Sequence, residues 1–186
     1  MICMEGSRDT AWLFDLDGTV TRNELLPLIA EAVGLGEEMR ILTEMTLSGS
    51  IDFKQSFKLR VALLATVPLE AVHQALLRVE INPEISLFLR EHADDVYVVT
   101  GNLDLWVNPL LQSLGVRAFA SILNKAEAAL SLRQRYRRLI AVGDSFNDVP
   151  MFEQSDIGIA FAGAHPPVPA LVRASMFVVK SSESLC

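Results

Sequence analysis

The stretch Ala11-Trp12-Leu13-Phe14-Asp15-Leu16-Asp17-Gly18-Thr19 decides the fold. Four apolar residues run without alternation and stop at a carboxylate. A run that is apolar on both faces reads as a strand buried inside a parallel sheet. Gly18 then breaks the run. The same pattern returns downstream. Residues 96–99, Val-Tyr-Val-Val, lead into Thr100-Gly101-Asn102. Residues 139–142, Leu-Ile-Ala-Val, lead into Gly143-Asp144-Ser145-Phe146-Asn147-Asp148. Further strands are expected at 117–121, 157–161 and 176–179. Helices are expected between them at 84–91, 104–114 (closed by Gly115), 126–136, 149–154 and 169–174. Strands alternating with helices imply right-handed crossovers, hence an α/β fold with a doubly wound parallel, Rossmann-like sheet. Ligands of such sheets bind beyond the carboxyl ends of the strands.

The rhythm is interrupted once. From 21 to 79 the pattern is helical, with apolar residues three and four apart at Leu25, Leu28, Ile29 and Ala32. Gly34 and Gly36 stop this first helix. A second is expected from 37 to 47. A third starts at Asp52, a side chain suited to capping, and runs to 65. Pro68 opens a fourth, 69–79. The expected organisation is a core of residues 1–20 and 80–186 with a small helical domain, 21–79, inserted into it.

Composition narrows the partners. The 186 residues carry a formal net charge of -7, and 51% are hydrophobic. So acidic a chain has no footprint for nucleic acid or an anionic membrane. The arginines Arg133, Arg135, Arg137 and Arg138 are a local exception, expected on the solvated face of a helix. Cys3 and Cys186, one near each end, make no disulfide framework and no metal spacing. They are expected as free thiols, which fits a reducing cytoplasm. No apolar run spans a bilayer, and the first residues lack the pattern of a secretory leader.

Three strand ends therefore hold the chemistry. They bring Asp15, Asp17, Asp144 and Asp148 together with Thr100, and Lys125 opens the helix before the third. Carboxylates so clustered repel one another without a cation. Mg2+ takes oxygen ligands, including one or two carboxylates. A carboxylate nucleophile can split phosphate-ester hydrolysis into two easier steps, and fixed donors can hold the phosphoryl oxygens. The inventory suits phosphoryl transfer. His73, His92 and His165 have no metal-ligand spacing and read as surface residues. Trp12 and Trp106 read as packing.

Asp15-Leu16-Asp17-Gly18-Thr19-Val20 resembles the first motif of the haloacid dehalogenase-like superfamily. Thr100, Lys125 and Gly143-Asp144-x-x-x-Asp148 resemble its second, third and fourth motifs, in order. The resemblance implies a Mg2+-dependent phosphatase. In it Asp15 is the nucleophile and Asp17 the general acid/base. Asp15, Asp144 and the Asp17 carbonyl hold the metal. Thr100, Gly101 and Lys125 bind phosphate, and Asp148 supports the metal shell or the lysine. Asn147 orients Lys125 or Asp148, or simply closes a local turn. The helical insertion lies where the family has its cap. The segment 53–61, Phe-Lys-Gln-Ser-Phe-Lys-Leu-Arg-Val, is similar to the cap of the phosphoserine phosphatase branch. There Glu24 and Arg60 would hold the ammonium and carboxylate of an amino-acid substrate, with Phe53 and Asn102 lining the pocket. O-phosphoserine, or a related small phosphorylated metabolite, is the implied substrate. Two features depart from that branch. It usually reads Ser-Gly-Gly where this chain has Thr100-Gly101-Asn102, and it usually carries a β-hairpin for which the stretch from Thr100 to Lys125 has no room. Two other functions share the motifs: a phosphotransferase to an organic acceptor, and a non-catalytic regulatory relative.

Overall fold

The computed structural model describes residues 8–163 and 165–185. Both cysteines lie outside them. The described residues form six strands in one sheet: β1 (Arg8–Asp15), β2 (Val96–Val99), β3 (Arg117–Phe119), β4 (Tyr136–Gly143), β5 (Ile157–Phe161) and β6 (Phe177–Val179). All neighbours pair in parallel, in the order β3-β2-β1-β4-β5-β6. The chain leaves β1 for β2 and β3 on one side, then returns to lay β4 on the other. The crevice of the doubly wound fold therefore opens beyond the ends of β1 and β4.

Residues up to Arg22 and from Ile81 onward form one compact unit, and Asn23–Glu80 form another. In the first unit the sheet carries the core. Leu13, Val99, Leu139, Ala141 and Ala160 pack with Leu132, Phe152 and Leu171 in one buried cluster. Trp12, Phe14 and Phe88 form an aromatic group, with Trp12 edge-on to Phe88 at 5.0 Å between centroids. Trp106 is buried as well. The helices of this unit are set by local signals. α5 (Pro83–Glu91) has proline in its first turn, where the missing N–H costs nothing. α6 (Asp104–Leu114) ends at Gly115, which takes φ 67° as a left-handed cap.

The second unit is the helical insertion: α1 (Leu25–Ala32), α2 (Gly36–Leu47), α3 (Phe53–Leu64) and α4 (Leu69–Leu76). Asp52 caps α3 as its position implies, its Oδ1 accepting from Gln55 N at 2.8 Å. Leu25, Ile29, Met39, Leu64 and Val72 are buried. The two strands of chain that lead in and out of the insertion bridge at Thr21 and Ile81. Asn82 staples this junction. Its Nδ2 donates to Thr19 O at 2.5 Å and its Oδ1 accepts from Arg22 Nε at 3.0 Å.

Some boundaries differ from expectation. The helix expected over 126–136 stops early: α7 is Ala126–Leu132. The arginines that follow do not share a helix face. Arg133 turns to Asp156 at 2.6 Å, whereas Arg137 and Arg138 lie in β4. The cause is Tyr136. It is buried, and its hydroxyl donates to Asp95 Oδ1 at 2.9 Å, which starts β4 there so that it pairs with β1 from Arg8 on. No hairpin stands between Thr100 and Lys125; α6 and β3 fill the stretch. No single helix among the described residues is long and apolar enough to cross a membrane.

Candidate active site

β1 delivers Asp15 at its last position, buried to 3% exposure. A one-turn π-helix, Leu16–Val20, follows. Thr21 closes it by donating its N–H and its hydroxyl to Leu16 O, at 2.8 and 3.0 Å. Within the turn Asp17 is extended and Gly18 takes φ 73°, a left-handed value that favours glycine. A Cβ on Gly18 would also collide with Asp144 Oδ2, so the turn packs its bare backbone against that carboxylate.

β4 delivers the second group. Asp144 and Asp148 have no exposure at all. Asp148 Oδ2 accepts from the backbone N–H groups of Asp144 (3.1 Å) and Ser145 (3.0 Å) and so shapes its own loop. Its other oxygen accepts from Lys125 Nζ at 2.6 Å. Lys125 stands at the N-cap of α7, fully buried, and its ammonium also donates to Asp15 Oδ1. Asn147 settles on the local turn: its Oδ1 accepts from Ser145 Oγ.

β2 delivers the third group. Thr100 and Asn102 are buried. Thr100 Oγ1 accepts from Asn102 N at 3.1 Å, and Asn102 Nδ2 donates to Asp17 Oδ2 at 2.6 Å. Gly101 lies between them at the strand end.

The fold thus gathers Asp15, Asp17, Thr100, Asn102, Lys125, Asp144 and Asp148 at one end of the sheet. Glu24 and Arg60 belong to the helical unit. There Arg60 Nη2 donates to Thr43 Oγ1 at 3.1 Å, while its buried Nε has no hydrogen-bond acceptor. Burial lowers the Arg60 pKa and the nearby charge of Glu24 raises it, so the two residues sense each other. The side chain of Phe53 lies outside the described residues. One residue was not foreseen. His165 follows β5, and its Nε2 lies 3.0 Å from Asp144 Oδ2. No spacing in the sequence signals it; the adjacency of the β4 and β5 ends brings it there.

The profile of the haloacid dehalogenase-like hydrolases matches residues 12–153. The chain belongs to this family. Its relatives include phosphoserine phosphatases. That of Methanocaldococcus jannaschii is 31% identical, over 80% of this chain and 83% of its own length. That of Archaeoglobus fulgidus is 28% identical over 80% of this chain, which spans about half (51%) of that relative. A solved phospho-aspartyl intermediate analogue of phosphoserine phosphatase superposes with a TM-score of 0.77 at 27% identity, covering 96% of this chain and 97% of that one. The chain is thus a phosphatase of the phosphoserine phosphatase-like branch.

The electrostatics of this hydrolase site are set by burial. One oxygen from each of Asp15, Asp144 and Asp148 lies within 4.8 Å of the others. Burial, then Asp148, push Asp15 well above the usual carboxylate range against the pull of Lys125. Burial and Asp148 likewise push Asp144 up to about 6. Burial draws the Lys125 pKa down, but Asp148 and Asp15 more than reverse this and leave it raised. Such a cluster calls for a cation, and the donors fit one. Both oxygens of Asp144 are buried without a hydrogen bond, and the group is oxygen-rich, as Mg2+ requires.

Lys125→Met removes the ammonium and leaves two buried carboxylates face to face. Stability at pH 7 should fall by about 3–5 kcal/mol, and by less at lower pH, where Asp15, whose pKa burial raises, takes up a proton. Urea unfolding measures this, and an unchanged midpoint would contradict the role given to Lys125. Asp144 predicts a second pH effect. Its folded pKa of about 6 exceeds the value of about 3.9 for a free aspartate, so between these limits the folded state holds more protons. From this group, the stability of the metal-free protein falls as pH rises from about 4 to 6. Asp144→Asn should flatten that slope, and Mg2+, which needs the ionised form, should stabilise the wild type more at pH 7 than at pH 5. Thermal unfolding with Mg2+ or chelator tests both statements.

Proposed function

We propose that this protein is a Mg2+-dependent phosphomonoester hydrolase that works through an aspartyl-phosphate on Asp15, with O-phosphoserine or a close relative as substrate. The observation that carries the proposal is the buried pairing of Asp15 with Lys125 beside an Asp144 whose buried oxygens accept no hydrogen bond. Asp15 attacks phosphorus, and the bond from phosphorus to the ester oxygen breaks. Asp17 gives its proton to the departing alkoxide. Water then attacks the phosphorus of the aspartyl-phosphate, Asp17 takes up a proton from it, and the carboxylate of Asp15 is restored as inorganic phosphate forms. Thr100 and Lys125 supply the fixed donors that hold the phosphoryl oxygens, where positioning and charge do most of the work. Asp15, Asp144 and the Asp17 carbonyl would hold Mg2+, which when bound neutralises phosphoryl charge. Asp148 keeps Lys125 and the β4 loop in place.

The substrate class rests on the helical unit, which serves as the cap of the family. The orphaned Nε of Arg60 and the charge of Glu24 beside it suit a zwitterionic amino acid.

Phosphate release from a panel of phosphomonoesters, with Mg2+ or chelator, tests the chemistry. Turnover should require Mg2+ and vanish in Asp15→Asn; turnover that survives the substitution would refute the covalent intermediate. Arg60→Ala tests the clamp. It should raise KM for O-phosphoserine about 10–100-fold, the worth of a hydrogen bond to a charged group, with little change in kcat. The same variant should treat p-nitrophenyl phosphate as the wild type does, and an equal effect on both esters would remove Arg60 from substrate recognition.

A further inference from the structure

Asn102 is rigidly held and aimed at a catalytic group. Its backbone carbonyl oxygen accepts from Ser121 N at 2.8 Å, and Ser121 Oγ accepts from Asp104 N at 2.9 Å. Ile122 N donates to Thr100 O at 3.2 Å. The loop after β3 therefore clasps the loop after β2 along both sides of Asn102. Ser121 takes φ 60° to do so, an uncommon value for a residue with a side chain. From this frame the Asn102 amide reaches Asp17 across 85 positions of sequence.

The direction of that bond is fixed by its surroundings. Asn102 Nδ2 lies 2.6 Å from Asp17 Oδ2 and 3.2 Å from Thr100 Oγ1. Turning the amide over would set its carbonyl oxygen against a carboxylate. In a neutral carboxyl group the carbonyl oxygen is a better acceptor of an amide N–H than the hydroxyl oxygen. When Asp17 is protonated, then, this bond favours the proton on Oδ1.

We propose that Asn102 is a positioning residue that assigns the transferable proton of Asp17 to Oδ1 and so fixes the line along which it passes to the leaving group. The inference rests on the reading of Asp17 as the general acid/base. In the first step Oδ1–H protonates the departing alkoxide oxygen as the phosphorus–oxygen bond breaks, while Oδ2 keeps its bond to Asn102. In the second, Oδ1 takes a proton from the attacking water. Without the amide the carboxyl group can turn, and a share of bound complexes presents the wrong oxygen. Asn102 also occupies both lone pairs of Thr100 Oγ1, through N and Nδ2, which turns the hydroxyl proton outward. That second effect bears on the phosphoryl group, which every ester shares, and cancels in a comparison between esters.

The test is the dependence of kcat/KM on the leaving group, which reports the step in which that group departs. A basic alkoxide needs its proton during bond cleavage, whereas p-nitrophenolate hardly does. Asn102→Ala and the isosteric Asn102→Asp are compared with wild type and Asp17→Asn on O-phosphoserine and p-nitrophenyl phosphate. Both Asn102 variants should lose roughly 10–100-fold in kcat/KM on O-phosphoserine, part of the general-acid contribution, and about threefold or less on p-nitrophenyl phosphate. In an Asp17→Asn background, Asn102→Ala should cost no more on O-phosphoserine than on p-nitrophenyl phosphate, because the proton it aims is gone. Equal losses on the two esters, or none, would overturn the proposal while leaving Asp17 in its role. If Asp17→Asn itself shows no preference for the good leaving group, the reading of Asp17 fails first and takes the proposal with it.

Discussion

The ammonium of Lys125, shared between Asp15 and Asp148, is the interaction on which the rest of the site depends. Three carboxylates and one ammonium lie together in the interior, which leaves a formal excess of negative charge. Two such charges about 4–5 Å apart repel by roughly 3–4 kcal/mol even at an effective dielectric constant of about 20. One lysine offsets part of this and a divalent cation would offset the remainder. The lysine also links three segments. It stands at the head of α7, meets the last residue of β1, and holds the carboxylate whose other oxygen shapes the β4 loop. Removing it would loosen the geometry of all three.

Buried ion pairs are poor sources of stability, because desolvation of the partners consumes much of the attraction. The fold therefore has to supply its stability elsewhere. It does so in β1, β2 and β4, where Leu13, Phe14, Val98, Val99, Leu139 and Val142 are wholly enclosed. The polar cluster begins where these apolar runs stop. Parallel pairing aligns the stops at one edge of the sheet, so the same residues that hold the sheet together also set the spacing of the catalytic groups.

That alignment explains what could be read from the sequence. β2, β5 and the part of β1 from Ala11 to Phe14 are legible because their residues are apolar throughout, whereas the polar Arg8-Asp9-Thr10 that opens β1 carries no such signal. The site groups on the strand ends are legible for the same reason, since each follows such a run. The start of β4 was not. Tyr136-Arg137-Arg138 continues a helical pattern, and what holds it as a strand is distant: the contact of Tyr136 with Asp95, 41 positions away, and the pairing with β1. His165 and the bond from Asn102 to Asp17 were equally hidden, because each is fixed by which strand ends are neighbours. Asn102 read as a pocket residue; its amide is engaged within the catalytic group itself. The helical unit was legible through its capping signals, Asp52 and Pro68, whereas the substrate role given to Glu24 and Arg60 rests on resemblance; within the unit, the charge of Glu24 acts on Arg60.

The arrangement also bears on how charge moves during the proposed reaction. When Asp15 attacks phosphorus, its own negative charge is spent in the new bond, and the phosphoryl oxygens bring negative charge to the same place. Lys125 loses the partner it held in Asp15 at the moment a phosphoryl oxygen arrives to replace it. Asp148 keeps the ammonium from following either group, because its other oxygen is tied to two backbone N–H groups. The cation is thus in position before the charge it must meet, and little reorganisation is needed during transfer. A lysine on the surface would have had to desolvate first. Burial of Lys125, costly for stability, is the condition for its use.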